Sequence, residues 1–551
     1  MMKLKACYFT SKFFLPVLFV TALVAALSFT SCSYREGTTS GVISSGSPES
    51  VNAGKKIFEL GGNAVDAAIA ISFALAVTEP AMSGLGGQAQ FLIHIPGKEP
   101  LIVNGTSFSP INLPDSLNKT DLQKHKATTV PSMVRTLDYL WKNYGSGNVS
   151  WNELLEPAIK YAEEGFQLGE FRYSVLKYKA EDLRKDSVTT KMFLNADGSL
   201  PKQEEFFEQK ILAKTLTKIA AEGADDFYSG KIAEQIAEDM KRNNGWITID
   251  DLNNVPTPLE IPAIKGNYRE YDIYTMPPPG GGWVIIQALN ILKQFPQEKL
   301  KLDSKERLLL IAQALQIAHK SREDYPVKDL TNYNEEVIYK ISDEEAKQLL
   351  IESGYDNNGE TTHFSVVDES GIVVSATLSI NNYFGSKAAN PQLGFLYNDY
   401  MNEFKINQPD HPFNLRPDAM PYSSMTPTIL MKDGKPVMAI GSPGSERIIS
   451  AIVQVISLWI DAGLGIEEAV NQNRIHVSPG KELYLENDNL PGEEKDILLN
   501  SGFTFSNPPS EISINDLNPY FGGVHAVAFE NSEWKGAADP RRDGRTGFIL
   551  K

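Results

Sequence analysis

One segment, Asn63 to Val77 (NAVDAAIAISFALAV), restricts the fold more than any other. Asn63 is a good N-cap with Asp66 three residues later, and the run that follows is apolar nearly all round. That pattern predicts a buried helix, enclosed by other structure rather than lying on a surface. The composition allows such a core, because 42% of the residues are hydrophobic and 22% charged, which excludes a disordered or collagen-like chain. At roughly 150 residues per domain the length suggests three or four units, but a large α/β domain exceeds that size and one to two domains are expected.

Several function classes drop out at once. A net charge of −17 repels nucleic acid and anionic membrane. The two cysteines, Cys7 and Cys32, both precede the body, which therefore has no disulfide or thiolate zinc site of its own. Seven scattered histidines show no metal-ligand spacing, so no metal and no cofactor are expected. No Gly-x-Ser-x-Gly elbow supports a serine hydrolase, and no Gly-Lys-Ser/Thr follows the glycines at 84–87. At the amino terminus, Lys3, Lys5 and Lys12 precede an apolar run from Phe13 to Phe29 that contains Pro16 and is short for a membrane span of ~20 residues. This reads as an export signal over residues 1–31. Residues 32–46, rich in Ser, Gly and Thr, read as a flexible tether.

Within the body, helices are predicted over Trp151 to Glu164, Glu204 to Glu222, Lys231 to Asn243 and Lys305 to Asp324. From Thr361 the texture turns β-rich: His363 to Val367 and Ile372 to Leu378 form a hairpin around Asp368–Gly371, and a strand follows at Thr428 to Lys432. Gly441-Ser442-Pro443-Gly444 then opens an apolar helix from Arg447 to Ala462, a place where backbone N–H groups can meet an anion. A threonine becomes a nucleophile when it is the first residue of a chain, since its own α-amino group takes the proton. Thr361 could do so only after an internal cut, and by itself a threonine at a strand start is more often a β former.

The context of Thr361 decides between these. Thr361-Thr362-His363-Phe364-Ser365-Val366-Val367-Asp368, Leu378-Ser379-Ile380-Asn381, Pro421-Tyr422-Ser423-Ser424-Met425, Gly441-Ser442-Pro443-Gly444 and Asp539-Pro540-Arg541-Arg542 occur in the order of the γ-glutamyltranspeptidase family. The upstream Gly61-Gly62-Asn63-Ala64-Val65-Asp66 and Gly84-Leu85-Gly86-Gly87 match as well, and the chain resembles that family from about residue 40 to 551. The resemblance implies an α+β N-terminal nucleophile hydrolase, a four-layer αββα sandwich made as one precursor. Cleavage between Glu360 and Thr361 would give a large subunit, 47–360, and a small catalytic subunit, 361–551, intertwined as one domain. Thr361 is then the nucleophile, the Ser379 hydroxyl orients it, the Gly444 and Ser445 amides form the oxyanion hole, and Asn381 binds substrate. The implied partners are a small γ-glutamyl amide and a water, amino-acid or peptide acceptor.

This chain departs from the family at several of these places. Ser379 stands for threonine, Ser445 for glycine, Glu403 for aspartate and Tyr400 for glutamine. Glu403, Tyr400, Ser423 and Ser424 match the groups that hold the substrate's amine, while Thr106 falls where an arginine would clamp its α-carboxylate; Arg416 could reach in instead, although an exposed role suits it better. Phe29-Thr30-Ser31-Cys32 resembles a bacterial lipobox, which implies lipidation of Cys32 and an exported lipoprotein on the periplasmic face of the outer membrane or the cell surface, touching membrane only through its lipid. Two alternatives to γ-glutamyl transfer stay open: a Thr-nucleophile acylase for another acyl amide, and an unprocessed, non-catalytic surface lipoprotein.

Overall fold

The computed structural model describes residues 39–349, 361–510 and 512–550. The export signal, Cys32, the first part of the tether and Glu360 lie outside the described residues. Thr39–Ile549 forms one compact unit.

Thirteen of its strands matter here: β1 (Thr39–Ser45), β2 (Gln88–His94), β3 (Leu101–Gly105), β4 (Leu259–Pro262), β5 (Ile264–Tyr268), β6 (Tyr271–Thr275), β7 (Thr362–Asp368), β8 (Val373–Ser379), β9 (Thr428–Lys432), β10 (Lys435–Gly441), β11 (His525–Glu530), β12 (Glu533–Ala538) and β13 (Arg545–Leu550). They build a seven-stranded sheet ordered β13-β1-β7-β8-β2-β3-β4 and a six-stranded sheet ordered β12-β11-β10-β9-β6-β5. Side-chain alternation sorts each strand between two cores. Val42, Leu92, Val367, Val373, Ile429, Ala439 and Val527 meet between the sheets. Their neighbours Ile43, Phe91, Val366 and Val374 face one helical layer, and Leu430, Met438, Ile440 and Ala526 face the other. The result is the four-layer αββα sandwich.

The helix that opens the sequence argument, α2 (Ala64–Thr78), is buried at all fifteen positions. Asn63 Oδ1 accepts the amides of Val65 and Asp66 at 2.9 Å, and Asp66 returns the bond to the Asn63 amide at 3.0 Å, which satisfies donors that an enclosed helix end could not give to water. Against it pack α1 (Pro48–Glu59) and α3 (Trp151–Glu164). The other helical layer includes α4 (Gly282–Lys293), α5 (Arg307–Asp324) and α6 (Arg447–Ile460).

Two expectations change. Residues 39–45 are not tether but β1, second from the edge of its sheet, with Gly41 opposite Asp368 and Ser45 opposite Phe364. Small residues are required there: a Cβ at Gly41 would lie 3.1 Å from the Val367 carbonyl oxygen and 3.3 Å from the Phe58 ring. The polar ones are paired internally, Ser44 with the Ala537 carbonyl at 2.5 Å and Ser45 with Ser50 at 2.7 Å. The helix predicted from Glu204 begins only at Lys210, because Phe206–Phe207 pairs as a short strand with Phe166–Gln167.

The inter-sheet core is polar near its catalytic end. His363 bonds Thr377 Oγ1 at 2.9 Å and Ser365 Oγ at 3.2 Å, while Ser375 Oγ donates to the Ile440 carbonyl and accepts the Thr428 amide, both at 3.1 Å. Burial pushes the His363 imidazole well below its ordinary range, so it sits in this seam uncharged. Gly441 lies flat on that ring, where a Cβ would come within 2.2 Å. The seam thereby ties β7 to the start of β9 and to the end of β10, the strands that lead out of and into the turns bearing Ser424 and Gly444.

Candidate active site

Thr361 immediately precedes β7 and is 4% exposed. Leu378 pairs with Thr362, and Ser379 with Gln88, so the register sets Thr361, Ser379 and Gln88 side by side at one end of three neighbouring strands. Such an approach needs glycine at 87, where a Cβ would fall 2.4 Å from the Ser379 carbonyl oxygen. The two adjacent threonines are not equivalent. Thr362 Oγ1 donates to the buried Glu79 carboxylate, whereas the Thr361 hydroxyl has no partner among the described residues. Burial raises the Glu79 carboxyl, against the Thr362 bond and the charges of Arg542 and Arg172.

Ser379 Oγ accepts the Asn381 amide at 2.8 Å, and this fixes Asn381 in the left-handed region at φ +75°. The Asn381 side chain then donates to Glu403 Oε1 at 3.0 Å. Tyr400 reaches Ser379 and Gln88 with its hydroxyl, which burial keeps protonated. Lys119 donates to the carbonyls of Asn402 and Phe404 and so braces the turn that carries Glu403. Of these residues, Glu403 and Lys119 border a cleft, partly open to solvent, whose walls also include Arg322, His319, Phe413 and Tyr422.

Gly444 has φ +121° and Ser445 φ +54°, and neither amide has an acceptor among the described residues. The turn therefore presents two consecutive free N–H groups just before α6. Ser445 bears a left-handed backbone that costs a non-glycine residue about 1–2 kcal/mol, so the exchange of glycine for serine is felt as strain and not as a lost donor. Below the turn, Ser442 Oγ accepts the Gly523 amide at 3.1 Å.

Not every expected residue arrives. Thr106 lines a separate cavity with Asn104 and Asn254, its hydroxyl donating to Asn104 Oδ1 at 2.6 Å and accepting from Gln90 at 2.7 Å, which leaves nothing to offer a substrate in the cleft. Arg416 is exposed and donates to the Pro412 carbonyl. Among the cations in the cleft wall is Arg322, which the sequence reading missed. Its signal lay in α5: Ile311, Leu315, Ala318 and Arg322 share one face, and a charge on a buried face calls for a reason. Gln88, Lys119 and Glu79 were also missed. Among the described residues no group of three His, Cys, Asp or Glu side chains could hold a metal ion, and no helix is long and apolar enough to cross a membrane.

Burial, reinforced by Asp399, pushes the Glu403 carboxyl up to about 7 against the Asn381 bond and the charges of Lys119 and Arg322. Because the folded form holds this proton more tightly than an unfolded chain near 4.5, its contribution to stability is complete below pH 4.5 and declines as pH rises to 7. Binding of an ammonium needs the ionised form, so KM for amine-bearing substrates is expected to fall as pH rises through 7. A KM profile measured on Glu403→Gln should lack that inflection; an unchanged profile would assign the titration elsewhere.

A two-sheet sandwich between helical layers, with a threonine hydroxyl at the head of a central strand and two amides on the turn after β10, none of them partnered among the described residues, defines an N-terminal nucleophile hydrolase. The chain belongs to the γ-glutamyltranspeptidase family, whose sequence model matches residues 50–549. It is 34% identical to a glutathione hydrolase proenzyme of Escherichia coli over 79% of this chain and 80% of that one. With a glutathione hydrolase proenzyme of Bacillus subtilis it shares 31% over 93% and 92% of the respective chains. Its fold superposes on a cephalosporin acylase from Bacillus halodurans with a TM-score of 0.82, at 26% identity over 93% of this chain and 96% of that structure.

Proposed function

We propose that the chain is a precursor that cuts itself between Glu360 and Thr361 and then hydrolyses or transfers the γ-glutamyl group of glutathione-like amides. The observation that carries this reading is the Thr361 hydroxyl, without a partner among the described residues, beside Ser379, with Asn381 and Glu403 next in line. The new α-amine of Thr361, with an ordinary pKa of ~7.7–8, takes the hydroxyl proton as Oγ attacks the amide carbonyl. The Gly444 and Ser445 amides meet the charge on the tetrahedral oxygen, each worth roughly 10²–10³ in rate if this site follows other oxyanion holes. Collapse expels the amine and leaves an ester on Thr361, which water or an amino acceptor resolves. Glu403 receives the substrate's ammonium.

A second reading, an acylase for amides without the glutamyl carboxylate, is favoured by Thr106 and by the likeness to the cephalosporin acylase. Comparing kcat/KM for γ-glutamyl and plain acyl anilides separates the two: preference for the plain acyl compound would overturn the first reading. The basic, apolar, small-residue, cysteine order of the amino terminus supports an exported lipoprotein anchored through Cys32. Mass measurement of detergent-extracted protein should find Met1 to Ser31 missing and lipid on Cys32, and an intact Met1 would exclude it.

A further inference from the structure

Arg322 differs from the other buried arginines for which the partners are known. Arg172, Arg474 and Arg541 each have a carboxylate oxygen within 3.1 Å. Arg322, 4% exposed, forms no ion pair with any described residue. Its Nη1 donates to Ser424 Oγ at 2.9 Å, its Nη2 to the Ser423 carbonyl at 2.6 Å, and its plane lies 4.1 Å over the Tyr422 ring. A buried charge without a counter-charge is costly, and the cost is removed when an anion arrives.

The bonds also fix which way the serines can act. A guanidinium only donates, so Ser424 Oγ spends a lone pair on Arg322 and its own O–H has no partner among the described residues. Ser423 Oγ likewise accepts the Met425 amide at 3.2 Å, and its O–H has no acceptor among the described residues. Each serine keeps an O–H to donate, and the guanidinium beside them, which has no ion pair with a described residue, favours an anion there over an ammonium.

We propose that Arg322 is the positioning residue for a carboxylate on the acyl side of the substrate, acting through Ser423 and Ser424 and supplying the positive charge that position 106 does not. This rests on the γ-glutamyl reading. It places the amine at Glu403 and the carboxylate at the serine pair.

The test uses the processed full chain and two anilides, γ-glutamyl and 4-aminobutyryl, which differ only in the α-carboxylate. Measured well above pH 7, where Glu403 is ionised with or without the Arg322 charge, Arg322→Gln should raise KM for the γ-glutamyl compound by ~10-fold or more, change kcat by less than ~3-fold, and leave KM for the 4-aminobutyryl compound within ~2-fold. Arg322→Lys should recover part of the loss, because it keeps the charge without the fork. Where Arg322→Gln fails to fold, Ser424→Ala makes the same selective prediction. Equal losses on both substrates, or a loss in kcat alone, would show a merely structural role and overturn the inference. A wild-type enzyme indifferent to the carboxylate would instead overturn the γ-glutamyl reading and this inference with it. A wild-type enzyme that discriminates, paired with variants that lose nothing selectively, overturns this inference alone.

Discussion

Thr361→Ala is expected to leave one uncut chain and to lower amidase activity by at least ~10⁴-fold, the scale on which removal of a nucleophile acts. The structure gives the choice of Thr361 a basis beyond position. Thr362 has its hydroxyl committed to Glu79, whereas the Thr361 Oγ has no partner among the described residues. The wild-type protein should run as two bands on a denaturing gel, with the smaller fragment beginning Thr-Thr-His-Phe. A fragment that starts at Thr362, or cutting that persists in Thr361→Ala, would reject the assignment. Thr361→Ser keeps a hydroxyl and should still cut.

The second large effect is expected at Asp539. Its carboxylate lies 2.7 Å from Arg474 and 3.1 Å from Arg541, accepts the amides of Val524 and Arg541, and is fully buried. Burial alone would raise this carboxyl, but the two guanidiniums and the two amides outweigh it and hold it far below the usual carboxylate range. Asp539→Asn preserves the shape and takes from Arg474 its ion pair with Asp539, while Arg541 keeps Glu486, and removing one side of a buried pair costs about 3–5 kcal/mol. The loss should also reach the active site. Val524 follows Gly522 and Gly523, and Gly523 is bonded to Ser442 under the oxyanion turn. Urea unfolding in the uncut Thr361→Ala background, where a single chain keeps the equilibrium simple, measures the effect; a loss under about 1 kcal/mol would mean that the arginines relax to other partners.

What was legible in the sequence was what neighbours in the chain determine. Asn63 and Asp66 cap α2 because they are three residues apart, and the helix Trp151–Glu164 runs between the predicted residues because Ser150 and Glu153 form the same kind of cap. The β7–β8 hairpin was readable for a similar reason: two β-rich runs flank a turn whose Asp368 accepts the amides of Ser370 and Ile372. Residues 39–45 were misread because serine and glycine content reports backbone freedom, whereas residues 41–45 are buried against β7, α1 and β12. The site split along the same line. Thr361, Ser379, Asn381 and Glu403 came with motifs, but Arg322 acts on residues about a hundred positions away, and no local pattern says that α5 ends against Tyr422. Thr106 shows the converse, a residue whose aligned position suggested substrate and whose hydroxyl is consumed by Asn104 and Gln90.

In the seven-stranded sheet, β7 and β8 lie between β1 on one side and β2 on the other, so strands from after residue 361 are flanked by strands from before it. Once the chain is cut, this sheet has a history that its parts cannot repeat. The folded body is laid down by a single polymer, in which finding β1 and β2 is an intramolecular search; after cleavage the same pairing requires two separate molecules to meet, and its equilibrium acquires a dependence on concentration that the precursor never had. The mature protein is thus held by the rate at which it comes apart as much as by the depth of its free-energy minimum. Maturation in such a molecule runs one way, and each copy of the enzyme is assembled once.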